Sequence, residues 1–163
     1  MNFSQPNVLI SVPKNFRGTC FFKEHSSIRR TYCYAVERVV GGSRLNVQAE
    51  RVGSHLVVRI TGELDLHTVN AFRQAIDREI ATRRSKNLVL VMSDVSFIDS
   101  SGVGAILGRY KSIKAQGGKM VAVGLRPIPR RTLELSGVLR VIQTAESERR
   151  ALAQLQGGER DAR

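Results

Sequence analysis

The sequence predicts an α/β domain built on a mixed, mostly parallel sheet of four to five strands with about four helices. After residue 44, short β-rich segments alternate with longer segments whose apolar residues recur every three or four positions. Residues 88–92 and 120–123 are apolar throughout, which is typical of strands that are covered on both faces. Strands that alternate with helices usually pair in parallel through right-handed crossovers. The chain has 163 residues, enough for one such domain and an extension.

The domain is expected to occupy residues 45–156, because the composition changes near the Gly-Gly-Ser-Arg stretch at 41–44. Residues 1–44 show no sustained helical or strand period, and prolines and glycines interrupt them. We interpret them either as an irregular accessory segment or as the product of a mis-assigned translation start, with Val39 or Val40 as the true beginning. The polar residues 157–163 predict a disordered tail.

The first half of the domain is expected to hold a hairpin and a helix. Residues 45–49 alternate apolar and polar side chains, residues 55–60 form a second β-rich run, and Gly53 lies in the turn between them. Residues 68–84 then predict an amphipathic helix with Thr68 as its N-cap. The apolar positions of this helix are Val69, Phe72, Ile76 and Ile80.

The second half is expected to alternate strands and helices. The strand at 88–92 is followed by a helix over 101–116, which ends at Gly117 and Gly118 because glycine favours the position after a helix. The remaining predicted elements are a strand at 120–123, a short helix at 129–135, an edge strand at 138–142 and a helix at 146–155.

The composition excludes several functional classes. Two cysteines and three histidines are too few for a disulfide framework or a cysteine-rich zinc site. No apolar run approaches the roughly 20 residues of a membrane helix, and no secretory signal is recognisable. We therefore expect a cytoplasmic protein with no metal, no cofactor and no membrane association. Lys and Arg number 26 against 14 Asp and Glu, which gives a formal net charge of +12.

The segment most suggestive of function is Ser-Phe-Ile-Asp-Ser-Ser-Gly-Val-Gly at 96–104. It joins an apolar strand to an amphipathic helix, so Asp99, Ser100 and Ser101 are expected at the helix N-terminus. Unpaired N–H groups and the helix dipole attract negative charge there, so a phosphate on a serine would find donors. An ordinary N-cap explains the same residues. The glycines complete no dinucleotide fingerprint, P-loop or nucleophile elbow, and no catalytic residue is predicted.

Three stretches of the sequence resemble the anti-sigma factor antagonists, which are single STAS domains of Gram-positive bacteria. They are GELDLHT at 62–68, FIDSSGVGAILGRYKSIKAQGGK at 97–119 and ELSGVLRVI at 134–142, and their order and spacing match over about residues 45–155. The similarity at 108–111 and 135–137 is especially close to the sporulation branch, the antagonists of the anti-sigma F factor. The resemblance implies the STAS fold.

The resemblance also implies a partner-switching role. In this family the unphosphorylated antagonist binds the anti-sigma factor, a serine kinase that uses ATP, and thereby releases the sigma factor. The kinase phosphorylates the second serine of the Asp-Ser-Ser-Gly run, which is Ser101 here, and a PP2C-like serine phosphatase removes the phosphate. The chain would then be a phosphoacceptor and not an enzyme. The implied partner-binding residues are Asp65, Asp99, Ser100, Ser101, Gly102 and Val103.

Two alternatives stay open at the level of sequence. The strongly basic charge is unusual for this family and favours a second hypothesis, a nucleic-acid-binding module, because basic surfaces attract phosphates. The aromatic residues are not interleaved with the basic ones as a stacking surface requires, so direct nucleic-acid binding is not expected. The second alternative is an antagonist of the same family that serves general stress rather than sporulation.

Overall fold

The computed structural model describes residues 30–40, 43–81 and 85–160, which form a six-stranded sheet with helices packed on both faces. The strands lie side by side in chain order. They are β1 Arg30–Val40, β2 Ser43–Val52, β3 His55–Leu64, β4 Asn87–Ile98, β5 Met120–Val123 and β6 Gln143–Ala145. The helices are α1 Val69–Ala81, α2 Ser100–Ala115, α3 Pro127–Leu135 and α4 Glu148–Arg160, and a 3-10 turn, Val138–Arg140, follows α3.

The sheet changes from antiparallel to parallel pairing at β3. Strands β1, β2 and β3 pair antiparallel, whereas β3, β4, β5 and β6 pair in parallel. The β2–β3 hairpin turns at Gly53, whose φ of 59° lies in the left-handed region that glycine adopts readily. The predicted α/β class with a mixed, mostly parallel sheet is confirmed, and five of its strands, β2 to β6, belong to the predicted domain.

The sixth strand, β1, comes from the segment in which the sequence shows no regular pattern. It pairs with β2 from Arg30 opposite Val52 to Val40 opposite Ser43. Residues 30–40 are therefore not irregular, because the hydrogen-bonding edge of β2 supplies an order that the local sequence does not indicate. A translation start at Val39 or Val40 would remove nearly all of β1. That hypothesis stays untested, and residues 1–29 lie outside the described part of the chain.

Two hydrophobic clusters, one on each face of the sheet, hold the strands and helices together. Along β3, Leu56, Val58 and Ile60 face the larger cluster with α1, α2 and α3, whereas Val57 faces the smaller cluster under α4. Helix α1 buries Phe72 completely, at the spacing that the sequence predicts. Burial of one such side chain contributes about 1.5–3 kcal/mol. The smaller cluster comprises Val52, Val57, Val89, Val121, Val123, Ala151 and Leu155.

An ion-pair network ties α4 to the second and third strands. Arg59 in β3 donates twice to Glu148 at the start of α4, from Nε to Oε2 at 3.1 Å and from Nη2 to Oε1 at 2.7 Å. Its Nη1 donates at 2.7 Å to Oε2 of Glu50 in β2, a residue that is almost fully buried. Burial alone lowers the pKa of Arg59, but the hydrogen bonds and negative charges of both glutamates outweigh burial and raise this pKa above its ordinary value.

Two predictions for the C-terminal part are wrong. Residues 138–142 are not an edge strand, because Val138–Arg140 is a 3-10 turn and the edge strand is Gln143–Ala145. Val138 and Ile142 are both buried, whereas Arg140, which a strand would turn to the same face, is exposed, and this fits a helical turn and not an alternating strand. The predicted disordered tail at 157–163 also fails at 157–160, since α4 continues to Arg160. Tertiary packing of its earlier turns outweighs the roughly 1 kcal/mol that each glycine costs a helix.

The other helices follow the sequence more closely. Helix α1 is described over 69–81, while the predicted residues 82–84 fall outside the described ranges. Helix α3 begins at Pro127, two residues before the predicted start, because proline is tolerated in the first helical turn. No helix in the described ranges is long and apolar enough to cross a membrane.

Candidate functional site

The loops that follow the parallel strands leave the sheet at one edge. Leu64 at the end of β3 lies opposite Ile98 at the end of β4. The next residue, Asp99, donates its backbone N–H to the Leu64 carbonyl oxygen at 3.3 Å. The β3–α1 loop and the N-terminus of α2 are therefore in direct contact. This edge, where the carboxyl ends of parallel strands meet, is the usual position of binding sites in α/β folds.

Asp99 joins these two elements through its carboxylate. It precedes α2 in extended conformation, and its Oδ1 accepts the N–H of Gly102 at 3.0 Å, as an N-cap does. Its Oδ2 accepts the N–H of Leu66, in the β3–α1 loop, at 3.1 Å. The N-cap interpretation is thus confirmed, and both carboxylate oxygens are already occupied by backbone donors.

Asp65 serves the structure of its own loop. Its Oδ1 accepts the backbone N–H groups of His67 and Thr68, each at 2.9 Å. The Thr68 hydroxyl donates to the Glu63 carbonyl oxygen at 2.8 Å and accepts the Asp65 N–H at 3.0 Å. Thr68 directly precedes α1, as predicted, but its hydroxyl faces back into the loop. These hydrogen bonds fix the loop that holds Asp65, and the same loop meets the α2 N-terminus through Leu66.

The two serines occupy the first turn of α2. Ser100 is exposed and Ser101 is half-buried. Within the described part of the chain, neither the Ser101 hydroxyl nor the backbone N–H groups of Ser100 and Ser101 have a hydrogen-bond partner. A helix N-terminus carries roughly half a positive charge, and its free N–H groups are ready donors for an anion. The site therefore offers a hydroxyl group beside two unused donors.

Gly102 and Val103, both predicted to bind a partner, lie in the interior of the fold. A Cβ on Gly102 would overlap the Leu64 carbonyl oxygen, so glycine is required for α2 to approach β3 this closely. Val103 is only 9% exposed and belongs to the larger cluster. The prediction that the Val103 side chain contacts a partner does not fit this burial, because the helix turns that position towards the core.

Gly104 and Gly108 continue the face of α2 on which Ser101 lies. They follow Ser101 at positions three and seven, so they lie on the same side of the helix. A Cβ added at either position would meet nothing within 4 Å. The helix backbone is therefore bare beyond Ser101, and another molecule could approach it closely.

Two exposed apolar side chains lie at this edge, and the sequence interpretation does not include them. Leu66, in the β3–α1 loop, is 66% exposed, and Phe97, near the end of β4, is 45% exposed. Phe97 is opposite Glu63 in the β3–β4 register. Large apolar side chains of this exposure near one site mark surfaces that bind other molecules. One feature of the sequence could have indicated these two residues. Both lie at or after the end of a strand, where neither a helical nor a strand period explains an apolar side chain.

The chemistry available at this edge is that of a binding surface with an acceptor hydroxyl. No group of three His, Cys, Asp or Glu side chains in the described ranges could hold a metal ion. Among the described residues, this edge presents two serines, two carboxylates, a bare helix face and two exposed apolar side chains, which belong to Ser100, Ser101, Asp65, Asp99, Gly104, Leu66 and Phe97. Such a surface suits recognition by another protein.

Comparisons with known proteins agree with this geometry. The profile of the STAS domain matches residues 46–151. The anti-sigma F factor antagonist of Paenibacillus polymyxa is 38% identical over 112 residues, which cover 69% of this chain and 96% of that protein. The unphosphorylated structure of the anti-sigma factor antagonist SpoIIAA is 31% identical, with a TM-score of 0.62 over 68% of this chain and 96% of that chain. The phosphorylated form of Bacillus SpoIIAA is also 31% identical, with a TM-score of 0.55 over 66% and 97%.

The fold and the site at the α2 N-terminus define a class of small regulatory domains that act through their surface. The chain belongs to the STAS domain family, and within it to the anti-sigma factor antagonists. The predicted STAS fold is confirmed, and the proteins it resembles are regulatory rather than catalytic.

Proposed function

We propose that the chain binds an anti-sigma factor that is a serine kinase, and that phosphorylation of Ser101 ends this binding. The observation that carries the proposal is the position of Ser101, a half-buried serine with a free hydroxyl in the first turn of α2. In the proposed reaction, Ser101 Oγ attacks the γ-phosphorus of ATP held by the kinase. The new Oγ–P bond forms as the bond to ADP breaks, and the hydroxyl proton passes to a base of the kinase.

A phosphate at this position is tolerated by the fold and unfavourable for the complex. It adds about −1.5 to −2 charges and three acceptor oxygens, which the free N–H groups of Ser100 and Ser101 can meet. The Asp99 carboxylate lies in the same turn, so the phosphate concentrates negative charge at one point of the surface. Carboxylates of a docked partner would be repelled there. Apolar side chains of a partner would have to displace water from the phosphate, which costs binding free energy.

The docking surface that we infer comprises Leu66, Phe97, Ser100, Ser101 and Gly104, with Asp65 and Asp99 forming its acidic part. Gly102 and Val103 contribute by fixing the position of α2 beneath it. The apolar side chains would supply buried area, and the bare face at Gly104 would admit a partner side chain against the helix backbone. These residues lie in the loop after β3, at the end of β4 and at the start of α2, so we expect one phosphate on Ser101 to disturb the contact.

We further propose that binding releases a sigma factor in the cytoplasm and that a PP2C-like serine phosphatase restores the active form. The released factor is proposed to serve sporulation, since the relatives at 38% and 34% identity are antagonists of an anti-sigma F factor. A general-stress role is the alternative, since an anti-sigma-B factor antagonist of Bacillus subtilis matches at 28% identity.

The test is phosphate transfer from ATP by the anti-sigma factor of the same organism, with the site mapped by mass spectrometry. The full chain should accept one phosphate on Ser101, Ser101→Ala should accept none, and Ser100→Ala should still be phosphorylated. Ser100 is the matched control because it is the neighbouring and more exposed hydroxyl. A phosphate on Ser100, or no transfer at all, would contradict the proposal.

A further inference from the structure

A second surface of the domain lies along the free edge of the sheet, away from Ser101. Strand β6 pairs with β5 on one side only among the described strands. Two grooves, of about 640 and 570 Å³, run along this edge and share Thr144 and Gln154 in their linings. The 3-10 turn after α3 forms one side of the larger groove and α4 forms the other. Within the described ranges, both grooves therefore adjoin β6, and no further strand pairs with its outer edge.

The lining of the larger groove combines apolar and cationic groups. Leu139, Val141 and Ile142 supply apolar surface, and Val141 is 48% exposed. Lys119 and Arg140 supply two positive charges, and within the described residues neither has an ion-pair partner. No carboxylate lines this groove. Its remaining lining residues, Gln143, Thr144 and Gln154, are neutral and polar.

We propose that this groove, with the free edge of β6, binds an extended acidic segment of a partner protein. An exposed strand edge presents backbone N–H and C=O groups that an added strand can pair with, while neighbouring pockets select its side chains. Carboxylates of the segment would lie near Lys119 and Arg140, and apolar side chains would lie on Leu139 and Val141. The partner segment can pair with only a short strand, because β6 spans Gln143–Ala145.

The chain itself does not supply a suitable occupant. Residues 1–29 carry four Lys or Arg and one Glu, and a second copy carries the same net charge of +12. Both would be repelled by Lys119 and Arg140. A nucleic acid is anionic, but the groove lining has no aromatic side chain for base stacking and offers a strand edge that nucleic acid cannot use. An acidic polypeptide fits both the charge and the backbone edge.

The test uses a fluorescein-labelled peptide of alternating valine and glutamate, titrated with the full chain and followed by fluorescence polarisation. Amide chemical shifts of Gln143, Thr144 and Ala145 should move in the same titration. The variant Lys119→Glu with Arg140→Glu should bind the peptide about tenfold more weakly than the wild type does. A peptide with alternate backbone nitrogens methylated should also bind more weakly, because it loses main-chain donors.

The matched control is Lys111→Glu with Lys114→Glu, which makes the same change in net charge on α2, away from both grooves. It should leave the affinity for the peptide unchanged. Equal loss in both double variants would mean general charge attraction and would overturn the proposal. So would tighter binding of a single-stranded oligonucleotide, or the absence of saturable peptide binding. Phosphate transfer to Ser101 should be the same in the Lys119→Glu with Arg140→Glu variant as in wild type, so this test and that of the proposed function fail independently.

Discussion

The carboxylate of Asp99 accepts the backbone N–H of Leu66 at 3.1 Å, joining two loops that are 33 residues apart in the chain. The other oxygen of the same carboxylate caps α2 through Gly102. One side chain therefore fixes both the start of the helix that carries Ser101 and the loop that carries the exposed Leu66. Ser101 and Leu66 are positioned by the same carboxylate.

Replacing Asp99 should loosen both elements. Asp99→Ala removes two hydrogen bonds to backbone donors and should lower the free energy of unfolding by about 1–2 kcal/mol. Asp99→Asn keeps one oxygen acceptor and should lose less. Urea denaturation of the two variants checks this, and amide exchange at Leu66 should accelerate in both. An unchanged exchange rate at Leu66 would contradict the bridging role.

Two glycines of α2, Gly102 and Gly104, should respond oppositely to the same substitution. Gly102→Ala places a methyl group against the Leu64 carbonyl oxygen and should destabilise the fold by about 1–3 kcal/mol. Gly104→Ala meets open space in a helix interior and should stabilise it by up to about 1 kcal/mol. Thermal unfolding of both variants measures the difference. Gly104→Gln should in addition weaken binding of the anti-sigma factor without loss of stability.

Phosphorylation of Ser101 should alter affinity far more than stability. Because the phosphate meets free N–H groups at a helix N-terminus, the free energy of unfolding should change by less than about 1 kcal/mol. A coupling of about 3 kcal/mol would lower affinity for the anti-sigma factor more than a hundredfold. Calorimetric titration should also show that Ser101→Ala binds as the unphosphorylated protein does, and Ser101→Asp more weakly. Equal affinity of Ser101→Ala and the phosphorylated chain would refute the switch.

The ion-pair network of Arg59 should contribute more to the free energy of unfolding than an ion pair on the surface does. Arg59→Met removes the guanidinium that donates to the buried Glu50 carboxylate and should cost about 3 kcal/mol. Glu148→Gln removes the negative charge of the more exposed partner but keeps one acceptor oxygen, and it should cost less than about 1 kcal/mol. Adding Glu50→Gln to Arg59→Met should recover part of the loss. Urea denaturation of the four proteins, wild type included, checks this order, and equal losses for Arg59→Met and Glu148→Gln would contradict it.

The pH dependence of this network follows from the raised pKa of Arg59. A group whose pKa is raised by folding contributes stability that is fully present below its unfolded pKa and is lost as the pH rises through its folded pKa. Both lie far above neutrality for a guanidinium, so the contribution should be constant between about pH 5 and 9. The difference in unfolding free energy between wild type and Arg59→Met should therefore be flat over this range. A change of this difference with pH between about 5 and 9 would mean that a group other than Arg59 titrates in the network.

Sequence reasoning recovers the fold where burial is periodic. Helix α1 follows from the spacing of its buried side chains, and Asp99 is the N-cap that its position predicts. The apolar runs at 88–92 and 120–123 mark β4 and β5, although β4 continues to Ile98, where its sequence is no longer apolar throughout. Sequence reasoning fails where contacts between distant residues determine the local structure. Strand β1 depends on pairing with β2, and residues 138–142 have an apolar pattern that suits a turn as well as a strand.

The candidate site can be predicted only in part from the sequence, because tertiary contacts determine which side chains meet there. Position in a motif does not reveal which way a helix faces, so Val103 is named beside Ser101 although it lies in the core. The exposed Leu66 and Phe97 carry no periodic signal at all. Their relevance depends on the register of β3 with β4, which brings distant residues to one edge.

The position of α4 has a consequence for how the protein is made. Its residues Ala151 and Leu155 cover Val57, Val89 and Val121, and its Glu148 completes the charge pairing of Arg59. While a ribosome is still translating the preceding strands, that face of the sheet has no covering helix and stays open to chaperones or to other nascent chains. Native packing of the sheet therefore waits for residues 148–155 to leave the exit tunnel.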